Sequence, residues 1–152
     1  MKKPSIPSDG TDVAYYLENI LENSKKRRTT PWNELFNSAF KRIQEDVWKE
    51  GKELTYEALE DVTNISKSRL SSIKDGNSIS NDYLVIAMLA LGLGPDESLA
   101  ILEAKGVGFD PFNVRDIILK DAIFKMYNYK YSEIKLYFEK TGYIKMPGEK
   151  TK

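Results

Sequence analysis

Hydrophobic positions recur along this chain with helical spacing, and no segment alternates as a strand does. Val13, Leu17, Ile20 and Leu21 fall at i, i+4, i+7 and i+8 and predict a short helix after a polar, proline-containing arm. Trp32, Leu35, Phe36, Ala39, Phe40, Ile43 and Val47 form one broad stripe that Gly51 ends. Thr30 can cap this helix, Pro31 suits its first position and Glu34 favours the positive end of its dipole. A stripe so rich in aromatics predicts the central packing helix. Three shorter patterns follow: Tyr56 to Thr63 behind the cap Thr55, Ser66 to about Lys74 before Gly76, and a helix capped by Ser80 that Gly92 stops. In the last of these Leu84, Ala87, Met88 and Leu91 face inward. Gly94-Pro95-Asp96-Glu97 opens a further helix carrying Leu99 and Leu102 and ending at Gly106.

Beyond Asp110-Pro111 two more helices are expected, from about Val114 to Tyr127 and from about Tyr131 to Thr141. Ile117, Ile118, Leu119, Ala122, Ile123, Phe124 and Met126 cover more than one face of the first, whereas an ordinary surface helix needs one stripe. Either that helix is sandwiched in the core or one face is buried against a second copy. Tyr127, Tyr129 and Tyr131 can stack on bases, line a hinge between the last two helices, or form a dimer contact. The expected organisation is an arm and short helix over 1–30, a central domain over 31–106, a helical extension over 107–146 and a loose polar tail over 147–152.

Composition narrows the chemistry. The 152 residues suit one core with short appendages, and the hydrophobic share of 41% suffices to build it. The chain has no cysteine and no histidine, which excludes disulfides and cysteine-based zinc sites and removes the most useful general base. Glu57, Glu60 and Asp61, with Glu53, form the densest acidic cluster and read as a solvated helix face, so no enzyme, metal site or cofactor is expected. The longest apolar stretch, Tyr83 to Leu93, falls short of the ~20 residues of a membrane span. The lysines after Met1 lead into no apolar run, so the expected location is cytoplasmic. Asn64-Ile65-Ser66 fits a glycosylation triplet that such a location makes irrelevant. Gly92-Leu93-Gly94 and Gly106-Val107-Gly108 follow no strand and read as helix caps rather than phosphate loops.

The formal net charge is zero, which counts mildly against a nucleic-acid binder unless the charge is locally segregated. Lys25-Lys26-Arg27-Arg28 reads as a solvated linker or, more sharply, as a basic arm that touches phosphates. A second candidate lies in LTYEALEDVTNISKSRLSSIKDGN, Leu54 to Asn77. Leu59, Val62, Ile65, Leu70 and Ile73 supply a small shared core for two helices joined by so brief a turn that they must cross steeply. Asn64 suits a left-handed backbone there. With Leu70 and Ile73 inward, Ser68, Ser71 and Ser72 point outward beside Lys67 and Arg69. From Ser66 to Lys74 there are three cations and no anion. Small hydroxyl side chains allow close approach to a major groove, flanking cations reach guanine edges or phosphates, and the helix N-terminus offers N–H groups.

This segment resembles the helix-turn-helix of the phage-repressor-like (XRE) family, with the run L-T-Q-x-x-L-A-x-x-x-G-I-S-x-x-x-I-S-x-I-E-x-G. Leu54, Thr55, Leu59, Ile65, Ser66, Ser71, Ile73 and Gly76 match it without gaps. SISNDYLVIAMLALGLGPDESLAILEAKG is similar to the family's fourth and fifth helices, and FNVRDIILKDAIF resembles a helix after the domain in some small bacterial regulators. The resemblance implies an all-α, lambda-repressor-like domain, here with an extra N-terminal helix and two C-terminal helices. It implies a transcriptional regulator that binds double-stranded DNA, with Ser66 to Lys74 as recognition helix. Lys67, Ser68, Arg69 and Ser72 are then expected at base edges, with Ser66 and Ser71 beside them. Tyr56, Lys74 and Asn77 are expected to position the DNA backbone, Tyr56 replacing the family's glutamine. Glu60 stands where the family carries alanine, which implies a looser or altered helix crossing. The last two helices are the expected homodimer interface. The alternative is an interaction module of the same shape that binds a protein partner and no DNA.

Overall fold

The computed structural model describes residue 17 and residues 30–148. The chain divides into two compact units, Met1–Thr30 and Pro31–Lys152. In the first, Leu17 is helical and exposed; the rest of the expected N-terminal helix and the basic run 25–28 lie outside the described residues. In the second, the described residues form seven helices and no strand: α1 (Trp32–Gln44), α2 (Tyr56–Thr63), α3 (Lys67–Asp75), α4 (Asn81–Leu91), α5 (Pro95–Lys105), α6 (Val114–Lys125) and α7 (Tyr131–Thr141). None of them is long and apolar enough to cross a membrane.

Helix α4 is the hub. Every residue from Leu84 to Leu91 is buried, not only the inward stripe expected of it. Helices α1, α2, α6 and α7 all pack against it. The core continues through Phe36, Ala39 and Phe40 of α1, Leu59 of α2, Leu70 and Ile73 of α3, and Ile134 and Phe138 of α7. Thr55, Ser66, Ser80 and Asn113 cap their helices with side-chain oxygens that accept the N–H of Ala58, Arg69, Tyr83 and Asp116.

Helix α1 departs from its expected form at both ends. Pro31 is its N-cap rather than its first helical residue, and no side-chain bond caps it. The helix stops at Gln44, and Val47, expected on the buried stripe, is 83% exposed. Trp48 turns in instead. Its indole buries more apolar surface than a valine, and its Nε1–H donates to the Ala90 carbonyl at 2.9 Å. That carbonyl lies in the last turn of α4, where no intrahelical donor remains. Lys49 completes the same end: its Nζ donates to Leu89 O at 2.6 Å, to Tyr127 O at 3.2 Å and to Tyr129 O. Burial pushes the Lys49 ammonium down to about 8, against the opposing pull of Glu50. The Glu50 carboxylate in turn accepts the Tyr131 N–H at 2.9 Å. The loop after α1 thereby ties the end of α4 to the junction of α6 and α7. Tyr131 is buried in that junction, which removes it from any base-stacking role.

Helix α6 carries two apolar faces. Leu119, Ala122 and Ile123 are buried, whereas Val114, Ile117 and Phe124 are about half exposed. It is therefore not sandwiched within its own core. The segment after α7 is also unlike its expected form. Ile144, Met146 and Pro147 are buried, and Gly148 lies so close to the α2–α3 turn that a Cβ there would come within 3.0 Å of Asn64 Cβ. The described part of the tail, Pro147 and Gly148, thus packs on the domain rather than hanging loose.

Candidate functional site

Helices α2 and α3 meet across a turn whose geometry follows from local chemistry. Asn64 is left-handed (φ 62°) and its N–H donates to Glu60 O at 2.8 Å, closing α2. Thr63 is buried because both roles of its hydroxyl are met nearby: it donates to Leu59 O at 2.7 Å and accepts from Ile65 N at 3.1 Å. Leu59, Ile65 and Ile73 are fully buried and Leu70 nearly so. Glu60 is half-buried.

The inward pair Leu70 and Ile73 leaves Lys67, Ser68, Arg69, Ser71 and Lys74 exposed, with Ser66 and Ser72 half-buried at the margin. Ser66 Oγ lies 3.2 Å from Ser68 Oγ and accepts Arg69 N–H at 3.3 Å, while Ser72 Oγ donates to Ser68 O at 3.2 Å. Lys67, Arg69 and Lys74 belong to none of the ion pairs among the described residues, which join Arg42 to Glu97, Arg115 to Asp82 and Lys125 to Asp121. Two of the three α3 cations face aromatic rings instead. The Arg69 guanidinium lies 4.8 Å from the centre of the Tyr83 ring, and Lys74 Nζ lies 5.4 Å from that of Tyr56.

The scaffold fixes the far end of α3. The Lys74 carbonyl accepts from Asn33 Nδ2 at 3.2 Å and from Asn37 Nδ2 at 2.9 Å, both on α1. Tyr56 belongs to this anchor more than to the exposed face. Its ring stacks on Phe40 (4.2 Å between centres, 9° between planes), and its hydroxyl donates to Asn37 Oδ1 at 3.1 Å. Burial, with the charge of Asp75, pushes that hydroxyl up to about 12. The loop beyond carries exposed Asn77, whose N–H donates to Ser72 O at 2.8 Å. Lys105 of α5 ties the same loop down through Ile79 O at 3.2 Å and Asn81 Oδ1 at 2.9 Å.

Ser66, Lys67, Ser68, Arg69, Ser71, Ser72, Lys74 and Asn77 therefore lie on one helix and its outgoing loop, and Tyr56 sits behind them. Asn33, Asn37 and Tyr83 were not among the residues expected here. The spacing of Asn33 and Asn37, i and i+4, is the signal that puts them on one face of α1. Elsewhere, Ser80, Asn81, Asp82, Asn113 and Arg115 line a cleft of about 360 Å³, but Arg115 and Asp82 are already paired with each other. Among the described residues no group of three or more acidic side chains is gathered to hold a metal ion. Glu53, Glu57 and Asp61 are exposed. Comparison of the chain with protein-family models, with curated proteins and with solved structures finds no match.

Proposed function

We propose that this chain is a transcriptional regulator that binds specific double-stranded DNA sequences through a lambda-repressor-like helix-turn-helix of the XRE type. The observation that carries this reading is the outer face of α3, where three cations outside any described ion pair flank short hydroxyl side chains. Serines let the helix backbone approach base edges closely. Arg69 suits the O6 and N7 of guanine, and Ser68 and Ser72 suit neighbouring edges. Lys67, Lys74 and Asn77 act on phosphates, and the N–H groups of the first turn add to that contact. Tyr56 and the two asparagines of α1 support the helix from behind.

The test is fluorescence anisotropy of the full chain against a labelled pool of random duplexes, titrated across salt. Each phosphate neutralised contributes about −0.9 to the slope of log K against log salt. Lys67→Ala/Arg69→Ala is expected to weaken binding and flatten that slope by about 1–2. Absence of binding at low salt would overturn the reading. It would favour the alternative, a protein-binding module that uses the exposed residues Val114, Ile117 and Phe124 of α6 and Leu136 of α7.

In the DNA-binding reading that outer face of α6 and α7 joins two copies, so that two α3 helices address paired half-sites. A dimer is expected in sedimentation at micromolar concentration, shifting to monomer in Ile117→Glu/Phe124→Glu. A monomeric wild type would refute this part alone.

A further inference from the structure

The described residues include three arginines, Arg42, Arg69 and Arg115, and they are held in two different ways. Arg42 gives both terminal nitrogens to the Glu97 carboxylate, each at 2.6 Å. Arg115 is bonded to Asp82. Both forks are committed to acids. Arg69 lies over the Tyr83 ring at 4.8 Å and takes part in no described ion pair.

The distinction is chemical. A guanidinium carries its N–H donors in its plane, whereas an aromatic ring attracts the cation through its face. A carboxylate partner takes up N–H donors in hydrogen bonds, whereas attraction of the cation's charge to a ring face does not require them. Arg69 is thus held near the ring while no described hydrogen bond or ion pair takes up its side-chain donors, and Arg69 is exposed.

Both members of the pair are anchored by helix caps. The Arg69 N–H is taken by Ser66 Oγ at 3.3 Å and the Tyr83 N–H by Ser80 Oγ at 3.2 Å. Tyr83 is half-buried on the first turn of α4 and packs against the core. The platform therefore belongs to the most buried helix, and it limits the rotamer freedom that a long arginine otherwise loses on binding.

We propose that Tyr83 is the positioning residue that presents Arg69 as a ready donor fork, and so sets sequence preference at the base pair Arg69 reads. This rests on the reading of α3 as the groove helix. Tyr83 itself need touch no DNA.

The experiment selects duplexes from a random pool with wild type, Tyr83→Phe, Tyr83→Leu, Arg69→Ala and the Arg69→Ala/Tyr83→Leu double variant, sequences the bound fractions, and measures affinity for the wild-type winner. Thermal melts confirm that each variant is folded. Tyr83→Phe keeps the ring and is expected to match wild type in affinity and preference. Tyr83→Leu is expected to lose about two- to fivefold in affinity, the range for an exposed cation–ring contact. It should relax the preference at the same base pair as Arg69→Ala, and have no further effect in the Arg69→Ala background. A Tyr83→Leu loss of equal size in both backgrounds would show mere structural weakening and overturn the proposal. Unchanged or tighter binding by Tyr83→Leu would do so too, since the ring would then be idle or be holding Arg69 back. Failure of wild type to bind any duplex would bring down the groove reading itself, and this inference with it.

Discussion

Gly76 tests whether the end of α3 is held as the structure shows. It is left-handed (φ +74°), and a Cβ built on it would lie 2.7 Å from both Cγ and Oδ1 of Asn33. Gly76→Ala therefore carries two costs. A left-handed backbone costs alanine about 1–2 kcal/mol, of which about 0.4–1 kcal/mol returns through a stiffer unfolded chain. Asn33 must also swing aside and forfeit its bond to Lys74 O, worth about 0.5–1.5 kcal/mol. Asn37 keeps that carbonyl paired at 2.9 Å, so the larger penalty of an orphaned acceptor does not arise. The sum is about 2 kcal/mol. Gly106 is the control: it is left-handed too (φ +83°), but nothing lies within 4 Å of its Cβ position. Gly106→Ala should cost only the backbone part, about 1 kcal/mol. For a unit of this size each kcal/mol moves Tm by about 3–5 °C. Calorimetry should then show a fall of about 6–10 °C for Gly76→Ala and about half that for Gly106→Ala. Equal falls would refute the closure of α1 on α3. So would a Gly76→Ala effect that persists undiminished in an Asn33→Ala background, where the obstructing side chain is gone.

The remaining expectations concern the scaffold. Lys49→Met removes the donor shared by three carbonyls and should cost about 2–4 kcal/mol in urea unfolding; a loss under 1 kcal/mol would mean that the ammonium holds nothing. Lys49 ionises near 8 in the folded chain against an ordinary 10.5, so the unfolded chain binds more protons between those values and stability should rise with pH there. Burial pushes Tyr56 and Tyr137 up to about 12 from an ordinary 10, so their contribution, complete below 10, is lost as pH rises towards 12. Melting across pH should thus peak near 10, and the rising limb should vanish in Lys49→Met; a limb that survives there belongs to another group. Met146→Ala should cost about 2–5 kcal/mol for a fully buried side chain, while Tyr143→Ala, more than half exposed, should stay within about 0.5 kcal/mol. Similar losses at both positions would contradict the packing of the C-terminal segment.

The caps and the rotation of α3 were legible because both depend on near neighbours. Ser66 three residues before Arg69, and Leu70 and Ile73 one turn apart, determine which side chains face water; Lys67, Ser68, Arg69 and Ser71 are exposed as expected, whereas Ser72, also expected outward, is half-buried with its hydroxyl on Ser68 O. Where the outcome rests on distant partners, periodicity misled. The stripe of α1 extends to Val47 by spacing alone, but the carbonyls at the end of α4 attract Trp48 and Lys49 and end the helix early. Hydropathy gives no sign that Thr63 is buried, since it does not register a hydroxyl satisfied by its own turn. For Tyr56 spacing and resemblance gave only an expected contact with the DNA backbone; its stacking on Phe40 and bond to Asn37 depend on a helix that precedes it in the chain. Around Pro147, polar composition masked the few apolar side chains that pack.

Net charge is a weak guide to the charge of any one surface, and the way individual charges are partnered explains why. A total of zero says nothing of reach. At physiological salt the field of an exposed charge fades over about 8 Å, so a phosphate at α3 responds to the charges beside it and little to acids on remote helices. Some of the charges elsewhere cancel locally: Arg42 with Glu97, Arg115 with Asp82 and Lys125 with Asp121. Lys49 is absorbed by carbonyls and Lys105 by the loop before α4. The α3 cations meet aromatic faces or open solvent, partners that steady a cation without neutralising it. A neutral chain can thus present a cationic surface by the choice of partner for each cation rather than by an excess of them. On the proposed reading of α3 as the groove helix, converting Tyr83 to glutamate should damage DNA binding more than removing any remote lysine, because it would commit the one arginine fork among the described residues that no carboxylate holds.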